Sequence, residues 1–126
     1  MLPSMFQRYG GFAVVRRIVS AFYDRVLDSP ILEPYFAGVA MDRLIDHQTK
    51  FIATLMGGPA SFTDDALRRA HAHLGIGDLE MTTMADLLRD TLVDHAVASS
   101  DADQVHAAIM RYAPIICTRH GERAAV

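Results

Sequence analysis

Apolar residues recur three and four positions apart along most of the 126-residue chain, and no stretch alternates with a period of two. This spacing is typical of amphipathic helices and argues against half-buried strands. Glycine pairs and prolines interrupt the pattern and mark corners between helices. The sequence therefore predicts an all-α fold in one domain, residues 1–126. The expected helices run over 12–27, 42–56, 64–74, 81–98 and 103–118, with a break and N-cap at 99–101 and a bend or split at Pro114.

Composition excludes several classes of function. Half of the residues are hydrophobic, at 51%, which is enough for a sizeable core. The net charge is −3 and the acids are scattered, so no basic stripe is available for nucleic acid. No apolar run is long enough to span a bilayer, and the N-terminus lacks the pattern of a secretory signal. A single cysteine, Cys117, cannot form an internal disulfide. We expect a cytoplasmic protein without nucleic-acid or membrane partners.

His71 lies on the apolar side of its predicted helix, four residues after Leu67 and three before Leu74. A histidine that faces an apolar interior is hydrogen-bonded, bound to a metal, or energetically costly. For such a residue in isolation, a core histidine bonded to a backbone carbonyl is the commoner explanation. At the level of the residues alone, both a structural role and a ligand role stay open.

Two other polar residues are also predicted to face inward. Tyr23 lies on the apolar face of the helix over 12–27, and Gln48 interrupts the apolar stripe of the helix over 42–56. A buried phenol and a buried amide each need a hydrogen-bond partner. His47 lies at the border of the same face as Gln48, where a histidine is usually solvated. Inward polar groups on three different helices suggest an apolar ligand cavity with a few polar side chains at defined positions in its wall.

Other kinds of site lack support in the sequence. His71 and His73 are two residues apart and would point about 160° away from each other on a helix, which does not suit a zinc site. Cys117 lies in an apolar segment near no assigned base, so packing is its expected role. The glycine pairs are not followed by the lysine and serine of a phosphate-binding loop.

Several short segments occur together in a specific order and spacing. They are Gly10-Gly11, Phe22–Leu27, Pro34–Gly38, Met41–Leu44 with His47-Gln48 and Phe51, Gly57-Gly58-Pro59 and Ala70–Ile76. Together they resemble the truncated, two-over-two haemoglobins over most of the chain. The chain has no tryptophan, and in this respect it resembles the first subgroup of that family. The resemblance implies a two-over-two helical sandwich around one haem b, iron protoporphyrin IX.

The resemblance also implies a role for each inward polar residue. His71 matches the proximal histidine that binds the iron, since an imidazole nitrogen holds ferrous iron and leaves the opposite face free. Tyr23 and Gln48 match the distal pair that hydrogen-bonds iron-bound dioxygen, beside Leu44, and they would be the catalytic residues of any reaction of that ligand. Bound dioxygen carries partial negative charge, so two donors in a dry pocket slow its loss.

Further residues match positions that contact the haem. The apolar walls are Phe22, Phe36, Leu44, Phe51, Ile52, Leu67 and Met84. Arg43 and Lys50 match positions that could supply cations to the haem propionates, with a solvated surface as the alternative for each. A covalent haem link, found in a few relatives, is not expected, because Ile116 stands at the histidine position and His120 lies further along.

The resemblance leaves two roles open for His47. In some cyanobacterial and algal relatives a histidine here binds the iron when no gas is present, which gives a six-coordinate resting state. The alternative is a contact with a propionate, or with solvent, at the mouth of the pocket.

The resemblance implies a protein that binds dioxygen, nitric oxide and carbon monoxide. We expect oxygen binding or transport, with nitric oxide dioxygenation or a peroxidase-like activity supported by an electron-donating reductase. A gas- or redox-sensing module that switches through His47 is the alternative, and a small helical interaction protein without haem is a third hypothesis. We expect a monomer or a weak dimer.

Overall fold

The computed structural model describes residues 2–59 and 62–117. Throughout this part of the chain the regular structure is helical, with no strand, so the all-α prediction is confirmed. No helix in it is long and apolar enough to cross a membrane. The α-helices are α1 (Met5–Arg8), α2 (Phe12–Leu27), α3 (Met41–Leu55), α4 (Asp64–His71), α5 (Asp78–Asp94), α6 (Ser99–Met110) and α7 (Ala113–Ile116), and 3₁₀ helices span Glu33–Phe36 and Ala72–Leu74.

Two helix pairs make up the body of the fold. Helix α2 packs on α3, α5 packs on α6, and α2 also contacts α5 and so joins the pairs. The apolar face of α2 is buried along its whole length, from Val15 to Val26. Facing it, α5 buries Leu88 and Leu92. Helix α4 contacts α7 beside these pairs. The last residue of α4 is His71.

The ends of α5 differ from the prediction of 81–98. The helix begins at Asp78, because Gly77 is its N-cap and acidic residues in the first turn complement the positive end of the helix dipole. It ends at Asp94, because Ala96 adopts a left-handed backbone with φ of 69°. A single alanine in this conformation is not recognisable from hydrophobic periodicity.

The last predicted helix is two helices. The break expected at 99–101 is wrong, because Ser99 is already the first residue of α6 and Ala98 is the N-cap. The predicted split at Pro114 is confirmed: α6 ends at Met110, and the proline stands in the first turn of α7, where its missing N–H costs nothing. Residues beyond 117, including His120, lie outside the described residues.

A glycine corner ends α3 and receives α1. A Cβ atom added to Gly58 would lie 2.8 Å from the Ala53 carbonyl oxygen and 3.0 Å from the Phe6 ring, so no larger residue fits without movement. The Phe6 backbone N–H donates to the Met56 carbonyl at 2.8 Å. This corner therefore fixes where α3 stops, and α3 carries seven of the predicted site residues, His47 and Gln48 among them.

A buried carboxylate fastens α1 to α6. The Arg8 guanidinium donates to both oxygens of Asp101 at 3.1 and 3.3 Å, and the Tyr9 hydroxyl donates to the same carboxylate at 2.6 Å. These hydrogen bonds lower the pKa of Asp101, with Arg8 the larger cause. The charged form is therefore the one that holds α1 in place.

Candidate functional site

A cavity of about 440 Å³ opens between the helices. Residues from α2 to α7 and from the first 3₁₀ helix line it, and most of them are apolar. Its polar members are Tyr23, Tyr35, His47, Gln48, His71 and Glu80. A mostly apolar cavity of this size with a few polar groups is typical of a ligand site.

His71 lines this cavity from the last position of α4. The helix is started by Thr63, whose side chain accepts from the Ala66 backbone N–H at 3.0 Å. The His71 Nδ1 atom is 2.7 Å from the Leu67 carbonyl oxygen. A carbonyl can only accept, so Nδ1 carries the hydrogen and Nε2 of the neutral ring keeps its lone pair. The carbonyl bond expected of a structural histidine is thus present, and it leaves Nε2 available to a metal.

Tyr23 lines the same cavity from α2 and is 4% exposed. Its ring packs edge-to-face on Phe22 and Phe36, with centroids 4.9 and 5.7 Å away. Its hydroxyl has no hydrogen-bond partner in residues 2–59 and 62–117, so the usual bond to a carbonyl is absent there. Burial raises the pKa of the phenol, which therefore stays protonated and can donate.

Gln48 reaches the cavity from α3, one turn after Leu44, which also lines it. The Gln48 side chain is partly buried and makes no hydrogen bond within the described part of the chain. Two helices thus bring two uncommitted donors, a phenol and an amide, to one apolar chamber.

The other predicted wall residues are brought together as expected. Phe22, Phe36, Phe51, Ile52, Leu67 and Met84 all line the cavity. Arg43 and Lys50 do not: both are exposed and outside the wall. Lys50 instead borders a shallow surface concavity between α2 and α3, together with Phe12 and Arg16.

His47 stands at the mouth of the cavity. It lines the wall and is also exposed, as is Ala70 on α4. Its ring lies edge-to-face against Phe62, with centroids 5.7 Å apart, and Phe62 contacts Phe51 in the same manner at 5.3 Å. The border position predicted for His47 corresponds to this rim.

Sequence reasoning missed a polar pair in the wall. The Tyr35 hydroxyl donates to Glu80 Oε2 at 2.8 Å and lies 3.4 Å from the Gly75 carbonyl oxygen. The partners are 45 residues apart in the chain, so no local pattern could pair them. Apolar wall residues on α5 were detectable, because Met81, Ala85 and Leu88 follow helical spacing. The other wall residues not singled out as site residues are Leu32, Phe62, Ala66, Ala70, Leu74, Ile76, Ile109 and Ile116.

A bare metal ion has no obvious binding site here, because no three histidine, cysteine, aspartate or glutamate side chains cluster within the described ranges. The cavity offers a single imidazole with a free Nε2 atom, apolar walls and two unpaired donors. This set fits a large planar cofactor that brings its own metal and four of that metal's ligands, as haem does.

Comparison with known proteins agrees with this fit. Residues 4–117 match the model of the bacterial-like globin family. The chain is 33% identical over 115 residues to the group 1 truncated hemoglobin GlbN of Mycolicibacterium paratuberculosis, covering 91% of this chain and 85% of that one. The chain thus belongs to the globins. Within them it is a group 1 truncated haemoglobin.

Solved structures show the same architecture. The 2/2 hemoglobin of a Synechococcus strain, in the cyanomet state with covalently attached heme, has a TM-score of 0.83 and 25% identity, over 93% of this chain and 100% of that one. The Fe(III) truncated hemoglobin of Tetrahymena pyriformis has a TM-score of 0.80 over 91% and 98% of the two chains; at 22% identity it supports the fold alone. The predicted two-over-two sandwich is confirmed. As a truncated haemoglobin, the protein binds haem and small gas ligands such as dioxygen.

Proposed function

We propose that the protein holds haem b through His71, retains dioxygen with Tyr23 and Gln48, and uses it to convert nitric oxide to nitrate. The observation that carries this proposal is the Tyr23 hydroxyl, which belongs to a buried side chain, stays protonated, and has no partner within residues 2–59 and 62–117, in the same cavity as the free Nε2 of His71. A donor that lines an apolar cavity without a protein partner is available to a ligand that can accept a hydrogen bond.

When bound, haem would supply the iron chemistry that lets dioxygen combine with nitric oxide to give nitrate, and the electron used would come from a donor partner. The protein's own residues set the conditions. The Leu67 carbonyl accepts from His71 Nδ1, which fixes the ring and makes Nε2 a better donor. Tyr23 and Gln48 donate to the gas ligand, and the apolar walls exclude water, which strengthens both hydrogen bonds.

The walls support this assignment. Phe36, Phe51, Leu67 and Met84 reach the cavity from four different elements, and we propose that they pack on the porphyrin. Arg43 and Lys50 would reach propionates only outside the cavity wall, at its mouth. We also propose a monomer or weak dimer in the cytoplasm.

Nitrate formation tests the reaction. When oxygen-saturated ferrous protein is mixed with nitric oxide in a stopped-flow instrument, we expect one nitrate per haem and a ferric product. The control is the same experiment with the carbon monoxide complex, which has no dioxygen to transfer. Displacement of dioxygen by nitric oxide without nitrate would contradict the proposed reaction while leaving gas binding intact.

A gas- or redox-sensing role is a second candidate, and the position of His47 favours it. This imidazole lines the cavity one residue before Gln48, so a small movement of α3 could bring it to the iron. If the protein senses in this way, the gas-free ferrous spectrum should be low-spin and six-coordinate, and His47→Ala should make it five-coordinate. His73→Ala is the matched control, because His73 is exposed and outside the cavity wall. A five-coordinate spectrum of the unmodified protein would rule out the switch.

A further inference from the structure

The two helices that carry the mouth of the cavity, α3 and α4, also carry cations without an ion-pair partner in the described chain, although none of these cations lines the cavity wall. His47 on α3 and Ala70 on α4 are exposed members of the wall and mark this mouth. Arg43 and Lys50 lie one turn before and one turn after His47 on the same side of α3. On α4, Arg69 lies one turn after Ala66, another wall residue. We call Arg43, Lys50 and Arg69 the rim cations.

The rim cations differ from most other basic residues of the described chain. Arg8, Arg16, Arg25, Arg68 and Arg89 each form an ion pair with an aspartate. The rim cations are all exposed and have no ion-pair partner within residues 2–59 and 62–117. Within the described ranges only Arg17 and Arg111 share this state, and neither lies on α3 or α4.

Neighbouring acids do not cancel this charge. Asp46 on α3 is paired with Arg16 at 2.8 Å, and Asp65 on α4 is paired with Arg68 at 3.0 Å. Asp42 and Asp64 lie in the first turns of their helices, where the helix dipole offsets part of their charge. Although the net charge of the protein is −3, the three rim cations therefore outnumber the two aspartates of α3 and α4 that have no ion-pair partner within residues 2–59 and 62–117.

We propose that the rim cations dock an acidic electron-donor protein that carries carboxylates around its redox centre. The inference rests on the proposed function, which needs one electron per turnover. The step is balanced: the reduced donor loses one electron, the ferric iron gains it, and no proton or bond moves. Complementary charge around the two redox centres raises the encounter rate by ten- to a thousandfold, and salt weakens the effect.

The test uses a reduced plant-type [2Fe–2S] ferredoxin as the acidic donor and the photochemically generated neutral radical of 5-deazariboflavin as a small donor that carries no charge and needs no docking site. The readout is the ratio of the two rates at which the ferric protein is reduced, which corrects for damage to the haem site. For Arg43→Gln/Lys50→Gln/Arg69→Gln we expect this ratio to fall about tenfold at low salt, and for Arg69→Gln alone about two- to threefold. High salt should bring the unmodified protein close to the triple variant.

The matched control is Arg17→Gln/Arg111→Gln, which removes unpaired surface cations that lie outside α3 and α4 and should keep the ratio within about twofold. An equal fall in this control, or an unchanged ratio in the triple variant, would overturn the proposal. If the rim cations only hold propionates, both reduction rates change together and the ratio stays constant, which also overturns it.

Binding provides a readout independent of turnover. Oxidised ferredoxin added to ¹⁵N-labelled carbon monoxide complex should shift backbone amides of α3 and α4, and these shifts should disappear in the triple variant. Shifts confined to other helices would contradict the docking site. Because neither experiment involves nitric oxide, failure of nitrate formation and failure of docking are separately visible.

Discussion

Replacing His71 with glycine is expected to abolish stable haem retention. The imidazole is the one nitrogen ligand that the described cavity offers with its Nδ1 already committed to a carbonyl and its Nε2 free. At free haem one hundred times above its Kd, binding stabilises a folded protein by about 2.7 kcal/mol. The variant should keep only a small part of this stabilisation, measured as the rise in Tm on adding haem.

His95→Gly is the matched control for this experiment. The His95 Nδ1 atom also bonds to the carbonyl four residues earlier, that of Thr91, at 2.8 Å, but His95 is outside the cavity wall. We expect this variant to retain haem like the unmodified protein. Millimolar free imidazole should restore haem binding to His71→Gly, because it can occupy the space left by the side chain. Full retention of haem by His71→Gly without imidazole would refute the ligand assignment.

Replacing Tyr23 with phenylalanine is expected to speed dioxygen release about tenfold or more. The substitution removes one hydroxyl and keeps the ring contacts with Phe22 and Phe36. The lost hydrogen bond is worth about 1.5 kcal/mol, and each 1.4 kcal/mol is a factor of ten. Displacement of dioxygen by carbon monoxide, followed by stopped-flow absorption, measures this off-rate.

Tyr35→Phe is the control that distinguishes the loss of the Tyr23 donor from a general loss of polarity in the cavity. Tyr35 also lines the cavity, but its hydroxyl already donates to Glu80 at 2.8 Å. We expect the off-rate of this variant to stay within about twofold of the original. Equal off-rates in Tyr23→Phe and in the unmodified protein would remove Tyr23 from the distal site.

Much of the fold followed from periodicity. The helix over 12–27 has the predicted bounds, and α3 is displaced by one residue at each end, since α-helices with a strong apolar stripe are easy to delimit. The end of α5 and the start of α6 were misplaced because they depend on the left-handed backbone of Ala96 and on Ala98 as an N-cap. Neither alanine belongs to the residue types that normally mark such positions.

The candidate site, like the fold, was predicted in part from the sequence. Tyr23, Gln48 and His71 were found because polar side chains interrupt apolar stripes, and the structure brings all three to one cavity. The Tyr35–Glu80 pair was missed because it joins two elements that only the folded chain brings together. Arg43 and Lys50 are exposed, in line with the solvated surface given as the alternative for each, and helical angles alone did not decide between this position and a contact with propionates.

The absorption spectrum of the protein titrated with haem tests the central claim most directly. We predict saturation at one haem per chain, an intense Soret band in the ferric, ferrous and carbon monoxide states, and a haem b signature after transfer to alkaline pyridine. A spectrum that stays equal to that of free haem at every ratio would contradict the account.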